Sequence, residues 1–151
     1  MNYKIIPYEE RYQKQVVDLV GSLLVYTGTI SSSDLPIDDE DLDHITEVYS
    51  GRGGFWLAVS EDQVIGTVAL KDMGDNTVKL KRMFVQSDLH GTGIGEALLQ
   101  SALTHAQKQG FTKIVLNTNE HMTRAHHFYE KHGFKNTGKT GTQLHYELEL
   151  V

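Results

Sequence analysis

Met83-Phe84-Val85-Gln86-Ser87-Asp88-Leu89-His90-Gly91-Thr92-Gly93-Ile94-Gly95-Glu96-Ala97-Leu98-Leu99 is the stretch on which the fold turns. An apolar strand ends at Val85, a short polar loop follows, and three alternating glycines lead into an amphipathic helix. The first N–H groups of a helix have no partner inside it, and the helix dipole places roughly +0.5 charge there. Glycines let the backbone approach a phosphate with no Cβ in the way. The stretch therefore predicts a site for a phosphate-bearing ligand. The plainer reading is a glycine turn that only lets a helix pack closely on a sheet. Gly91, Gly93 and Gly95, all at one strand-to-helix switch, exceed what that requires.

Two familiar phosphate motifs do not fit. A dinucleotide fingerprint reads Gly-x-Gly-x-x-Gly and expects an acidic residue about 20 positions on. Here the loop reads Gly-x-Gly-x-Gly, and residues 112–116 hold no carboxylate. A P-loop needs Gly-Lys-Ser/Thr, and no lysine follows Gly95.

Lys79-Leu80-Lys81-Arg82-Met83-Phe84-Val85 followed by His90-Gly91-Thr92-Gly93-Ile94-Gly95 resembles the acyl-CoA-binding motif of the GNAT superfamily of N-acetyltransferases, whose signature is Arg/Gln-x-x-Gly-x-Gly/Ala after the fourth strand. A second block, Ala125-His126-His127-Phe128-Tyr129-Glu130-Lys131-His132-Gly133-Phe134, is similar to the family's Ala-x-x-x-Tyr-Glu-Lys-x-Gly-Phe segment. Both blocks stand in family order and at the family's separation. The resemblance implies one α+β domain over residues 1–151, with a mixed, mostly antiparallel sheet of six to seven strands and about four helices.

Composition bounds the function without choosing it. A chain of 151 residues with 39% apolar and 23% charged residues is ordinary for a soluble globular domain. It has no cysteine, which excludes disulfides, cysteine nucleophiles and thiolate metal sites. Residues 1–8 lack the apolar core of a signal peptide and no stretch approaches a membrane span, so cytoplasm and no membrane partner are the expectations. A formal net charge of −6 argues against nucleic acid as a partner. The charge is uneven: Asp34, Asp38, Asp39, Glu40, Asp41, Asp43 and Glu47 fall together with no Lys or Arg among them. Most of them read as a solvated helix start, with Asp38 and Asp39 capping a helix that runs to Tyr49 and ends at Gly51. One or two are candidates for an acidic rim that draws in a cationic amine.

Periodicity orders the rest. Residues 3–6 read as a strand, and residues 9–25 as a helix with Val16, Val17, Leu19, Val20, Leu23 and Leu24 inward. A Ser/Thr/Gly-rich loop covers residues 27–36. Strands are predicted over 55–59, 64–70 and 77–85, with turns at 60–63 and 74–76. Ile94, Leu98, Ala102 and Leu103 form the buried face of the glycine-loop helix, which ends at Gly110. Ile114-Val115-Leu116 reads as a central parallel strand. Residues 123–132 form a helix closed by Gly133, and Leu144, Tyr146, Leu148 and Leu150 alternate as a half-buried antiparallel strand.

The resemblance implies roles for particular residues. Backbone N–H groups of His90, Gly91, Thr92, Gly93, Ile94 and Gly95 would hold the pyrophosphate of acetyl-CoA. Met83, Phe84 and Val85 would pair with the pantetheine arm as an added strand. A backbone N–H near Val85 would polarise the thioester carbonyl, and Tyr129 would act as the acid that meets the departing thiolate. On the residues alone, Tyr129 also reads as an amphipathic core tyrosine. Three positions depart from the family pattern. His90 replaces Arg or Gln, and it keeps a donor without the permanent charge of a guanidinium. Lys79 replaces a glutamate that often serves as general base, and an ammonium has no lone pair with which to accept a proton. Met122 replaces a common asparagine. Glu120, His121, His145 or a chain of waters are the candidates for the base.

The histidines do not make a metal site: His126, His127 and His132 are not at the three- or four-residue spacing that shares a helix face. No Gly-x-Ser-x-Gly is present, so a serine hydrolase has no nucleophile elbow. The expectation is an N-acetyltransferase carrying an acetyl group from acetyl-CoA to a primary amine of a small cationic molecule or of a peptide or protein, by direct transfer in a ternary complex. The alternative is a non-catalytic acyl-CoA-binding module. A homodimer is compatible with either.

Overall fold

Short turns at two positions build the first half of the sheet. The computed structural model describes residues 1–150, and in it Glu61, Asp62, Asp75 and Asn76 take φ of 50°, 63°, 52° and 58°. Paired left-handed residues give the twist that joins adjacent antiparallel strands. The first pair links β2 (Gly54–Ser60) to β3 (Gln63–Gly74), and the second links β3 to β4 (Thr77–Val85). β1 (Lys4–Pro7) pairs antiparallel with β2. β5 (Lys113–Asn119), β6 (Lys135–Thr140) and β7 (Gln143–Glu149) complete a seven-stranded sheet in the order β1-β2-β3-β4-β5-β7-β6. Every neighbouring pair is antiparallel except β4 and β5.

Helices cover both faces. α1 (Gln13–Tyr26) buries Val16, Leu19, Val20 and Leu23 against Phe55, Leu57 and Ala69, and two single turns, α2 (Glu40–Asp43) and α3 (Ile45–Val48), add Leu42 and Ile45 to that cluster. On the opposite face α4 (Ile94–Lys108) packs Leu98, Leu99, Ala102 and Ala106 on Val78, Leu80, Ile114 and Leu116, and α5 (Thr123–Lys131) contributes Tyr129. Each fully buried leucine stabilises the fold by about 1.5–3 kcal/mol, so these two stripes carry the architecture. Among the described residues no helix is long and apolar enough to cross a membrane.

The expected α+β architecture is present, with four differences. β6 was absent from the periodic reading because all six of its residues are exposed and none is apolar. The single helix expected up to Tyr49 is two turns broken at His44 (φ −137°, ψ 44°). Asp39 stands at the N-cap of α2 without capping it, since its carboxylate is drawn to Arg82 instead. β3 runs on to Gly74, so the hairpin is longer than its apolar core.

Candidate active site

β4 and β5 are hydrogen-bonded neighbours only at Thr77↔Lys113, Val78↔Ile114 and Lys79↔Val115. Beyond Lys79 the two strands part. Residues 80–85 of β4 then keep β3 on one side and have no strand on the other. A bulge sharpens the divergence. Thr67 lies opposite Phe84 and Ala69 opposite Lys81, so β4 spends one residue more than β3 over this step, and Arg82 takes φ of 52°. The buried Thr67 hydroxyl donates to the Arg82 carbonyl at 2.7 Å and fixes the bulge. Gln86 N–H donates to Ile65 on β3, so strand alternation turns the Val85 amide and carbonyl to the unpaired side.

The open edge runs straight into the glycine loop. A 3₁₀ turn (Ser87–Leu89) precedes it, and Gly91 and Gly93 take φ of 81° and 92°, where a Cβ is strained. Gly95 is different: a Cβ there would meet Phe128 at 3.6 Å and Met83 at 3.7 Å, ordinary contact, which marks where β4, α4 and α5 converge. His90 N–H and Thr92 N–H are taken by Ser87 and Leu89 carbonyls. Among the described residues the N–H groups of Gly91, Gly93, Ile94, Gly95 and Glu96 have no such partner, leaving a cluster of free donors at the positive end of α4.

The predicted site residues therefore divide. Met83, Phe84 and Val85 lie on the open edge, and Gly91, Gly93, Ile94 and Gly95 offer free donors. The His90 and Thr92 amides are engaged locally. The His90 ring also turns inward, with Nε2–H donating to the Val85 carbonyl at 2.8 Å and Tyr26 packed edge-on at 6.0 Å. Arg124, which the sequence reading did not single out, brings Nη2 to 4.0 Å from the position of a Gly91 Cβ. It is exposed at the start of α5 and has no ion-pair partner among the described residues.

Tyr129 is 8% exposed and shares its cluster with Leu80 and Leu116, just past the point where β4 and β5 separate. Phe128, Phe134 and Tyr146 surround it. Burial alone pushes its pKa well above that of an ordinary phenol. Its hydroxyl has no hydrogen-bond partner among the described residues, yet it is not one of the sealed orphan atoms, Tyr8 Oη and His132 Nε2. The oxygen therefore opens on free space.

Three of the seven carboxylates of the acidic segment, Asp34, Asp39 and Asp41, are committed to structure. Arg82 donates to Asp39 at 2.8 Å and to Asp41 at 2.6 and 3.0 Å, and Tyr49 donates to Asp41 at 2.6 Å. Burial works against the Asp41 carboxylate, but the Arg82 and Tyr49 hydrogen bonds outweigh it and hold its pKa below the usual range. Asp34 caps its own 3₁₀ turn by accepting from Ser31 N–H at 2.9 Å. Of the candidate bases, Glu120 is paired with Lys139, which lowers its pKa, and His121 is exposed. His145 lines a shallow concavity of about 290 Å³ beside Lys79, Asn117 and Glu147. Met122 stands at the N-cap of α5.

A sheet split beside its one parallel pair, with a donor-rich loop at the split, defines the class of protein. A family model described as the acetyltransferase (GNAT) family matches residues 24–134, and the chain belongs to that family. Human N-acetyltransferase 8B is 36% identical over 107 residues, covering 66% of this chain and 47% of its own length. N-acetylaspartate synthetase from Xenopus tropicalis is 40% identical over 101 residues, covering 65% of this chain and 37% of its own length. The chain thus spans less than half the length of these relatives. An acetyltransferase of the GNAT family from Staphylococcus aureus Mu50 superposes with a TM-score of 0.85 at 27% identity, over 99% of this chain and 100% of that one. The fold is also that of the PaiA N-acetyltransferase from Thermoplasma acidophilum, solved in complex with coenzyme A (TM-score 0.88, 21% identity, 99% and 100% covered).

Proposed function

We propose that the chain transfers an acetyl group from acetyl-CoA to a primary amine, directly and within a ternary complex. The observation that carries this reading is the continuity of the open β4 edge with the free N–H groups of Gly91, Gly93, Ile94, Gly95 and Glu96. A pyrophosphate on those N–H groups and a pantetheine arm along Met83, Phe84 and Val85 would use backbone groups that the fold leaves unpaired. Arg124 would supply the guanidinium that the loop lacks at His90, and His90 would hold the end of β4 through Val85. The coenzyme A in the PaiA complex and the N-acetylated amino acid in the name of the Xenopus relative support the same chemistry.

The amine attacks the thioester carbonyl while the Val85 N–H steadies the developing oxyanion, an interaction worth about 3–4 kcal/mol where it has been removed from other enzymes. The tetrahedral intermediate collapses with loss of the thiolate, which Tyr129 meets as hydrogen-bond donor and acid. Lys79 cannot serve as base, so the amine's proton leaves through His145 or solvent.

Calorimetric titration with acetyl-CoA, followed by an amine screen that reads free thiol, tests this. Binding on the order of micromolar is expected, weakened by Gly93→Val in a protein that remains folded. No binding to folded protein overturns the reading. Tight binding with no turnover across the screen replaces it with the non-catalytic acyl-CoA module, which the lysine at position 79 favours.

A further inference from the structure

Three ammonium groups share the sheet face opposite α4. Lys71 lies across from Lys79 on β3 and β4, and Lys81 is the next residue of β4 on that side, opposite Ala69. Ala69 packs into the α1 cluster, which fixes the face as the one carrying α1 to α3. All three lysines are partly buried, and none has an ion-pair partner among the described residues. Burial lowers the Lys81 pKa, and Lys79, Lys71 and Arg82 lower it further, against the pull of Asp41.

Asp41, the carboxylate that acts on Lys81, is already engaged elsewhere. Asp39 and Asp41 are held by Arg82. The concavity beside Lys79 has one carboxylate in its lining, Glu147, which pairs with Lys113 at 3.6 Å. The position matters as much as the charge. Lys79 is the last residue of β4 paired to β5, at the floor of the split, and Lys81 stands on its wall. On the opposite face the apolar cluster that includes Ile94, Leu98, Tyr129 and Phe134 packs under α4 and α5. A nucleophile approaching a thioester held in the split from the α1 side would cross the lysine face.

We propose that the acceptor is an amine that also carries a carboxylate, seated with that carboxylate against Lys79 and Lys81 and its amine in the split. This rests on the acetyl-transfer reading above. The ammonium form of the acceptor gives up two protons, one to the sulfur as the C–S bond breaks and one to solvent as the C–N bond forms. The products are an N-acetylated amino acid and CoA thiol. The lysine face replaces the acidic segment as the recognition element, because Arg82 has already taken Asp39 and Asp41 of that segment.

The test uses the full chain, acetyl-CoA and matched acceptors: glycine, β-alanine, aspartate and glutamate, their amides, and 1,4-diaminobutane. The expected result is a kcat/KM at least about tenfold higher for a carboxylate-bearing acceptor than for its amide, the size of one charge-assisted contact. Lys79→Gln and Lys81→Gln should raise KM for that acceptor about tenfold while leaving its amide's KM and the acetyl-CoA Kd unchanged. Lys81→Arg should restore most of the loss. Equal or better turnover of amides or the diamine, no turnover of any carboxylate-bearing member by protein that binds acetyl-CoA, or equal KM changes for acid and amide would overturn the proposal. Failure to bind acetyl-CoA in the same samples would instead remove the acetyl-transfer reading beneath it.

Discussion

Tyr129 joins burial to a free hydroxyl, and that combination sets its expected behaviour. A buried phenol that no hydrogen bond stabilises as phenolate keeps its proton to higher pH than an exposed one. Tyr129→Phe should lower kcat by about 10²–10⁴-fold and leave the acetyl-CoA Kd within a factor of about three, read by steady-state kinetics and calorimetry. Because its pKa is raised, wild-type kcat should show no fall from loss of this proton below about pH 10. A tyrosine that only packs would lose stability on substitution and keep its turnover per folded molecule. Arg124 makes the complementary case for binding. It is exposed, so Arg124→Ala should weaken acetyl-CoA by only about three- to tenfold, with a shallower salt dependence, and leave kcat alone. The glycine loop was legible in the sequence because its spacing at a strand-to-helix switch carries its meaning. Tyr129 was instead singled out by the resemblance of residues 125–134 to a family segment, and its role in turnover is what the substitution tests. The inward turn of His90 and the reach of Arg124 were not legible, since both depend on the left-handed backbone at Gly91 and Gly93 and on where α5 begins.

At the scale of elements, the Arg82 bulge ties α2 to β4 and so positions the wall of the split. Asp41 is the partner whose charge the fold has stabilised. Its folded pKa is depressed, so the contribution is present above the ordinary carboxylate value and is lost as pH falls through the lower folded value. Asp41→Asn should cost about 1–3 kcal/mol at pH 7 in urea denaturation, and the difference from wild type should shrink below about pH 4. Close packing of α4 makes a second test. A Cβ on Gly66 would fall 2.8 Å from Leu98 Cδ1 and 3.1 Å from the Phe84 carbonyl. Gly66→Ala should therefore destabilise by about 1–3 kcal/mol and disturb the end of β4. The bulge itself had a sequence signal. Val78 and Leu80 alternate with lysines, and the alternation breaks at the charged Lys81-Arg82 pair before the continuous apolar run Met83-Phe84-Val85. β6 had none, because an exposed edge strand has no core face to pattern it.

For the whole molecule, a ligand that bridges β4, the loop and α5 binds the folded chain alone. At a hundred times its Kd, acetyl-CoA should add about 2.7 kcal/mol of stability, and Tm should rise by several degrees in a thermal melt. Coenzyme A lacking its acetyl group should give most of that rise, because the phosphates and pantetheine make the bridge.

The seam between β4 and β5 has a further, mechanical consequence. Three rungs, from Thr77↔Lys113 to Lys79↔Val115, join strands β1 to β4 to the antiparallel trio β5, β7 and β6. The hairpins on either side are far more extensively laddered, so the sheet behaves as two stiff plates meeting along a short hinge line, with α4 as a brace. Occupying the split adds new rungs where the hinge is weakest. In amide hydrogen exchange, the outer half of β4 and the upper part of β5 should therefore gain protection out of proportion to the few atoms touched, while β1 and β2 stay as they were.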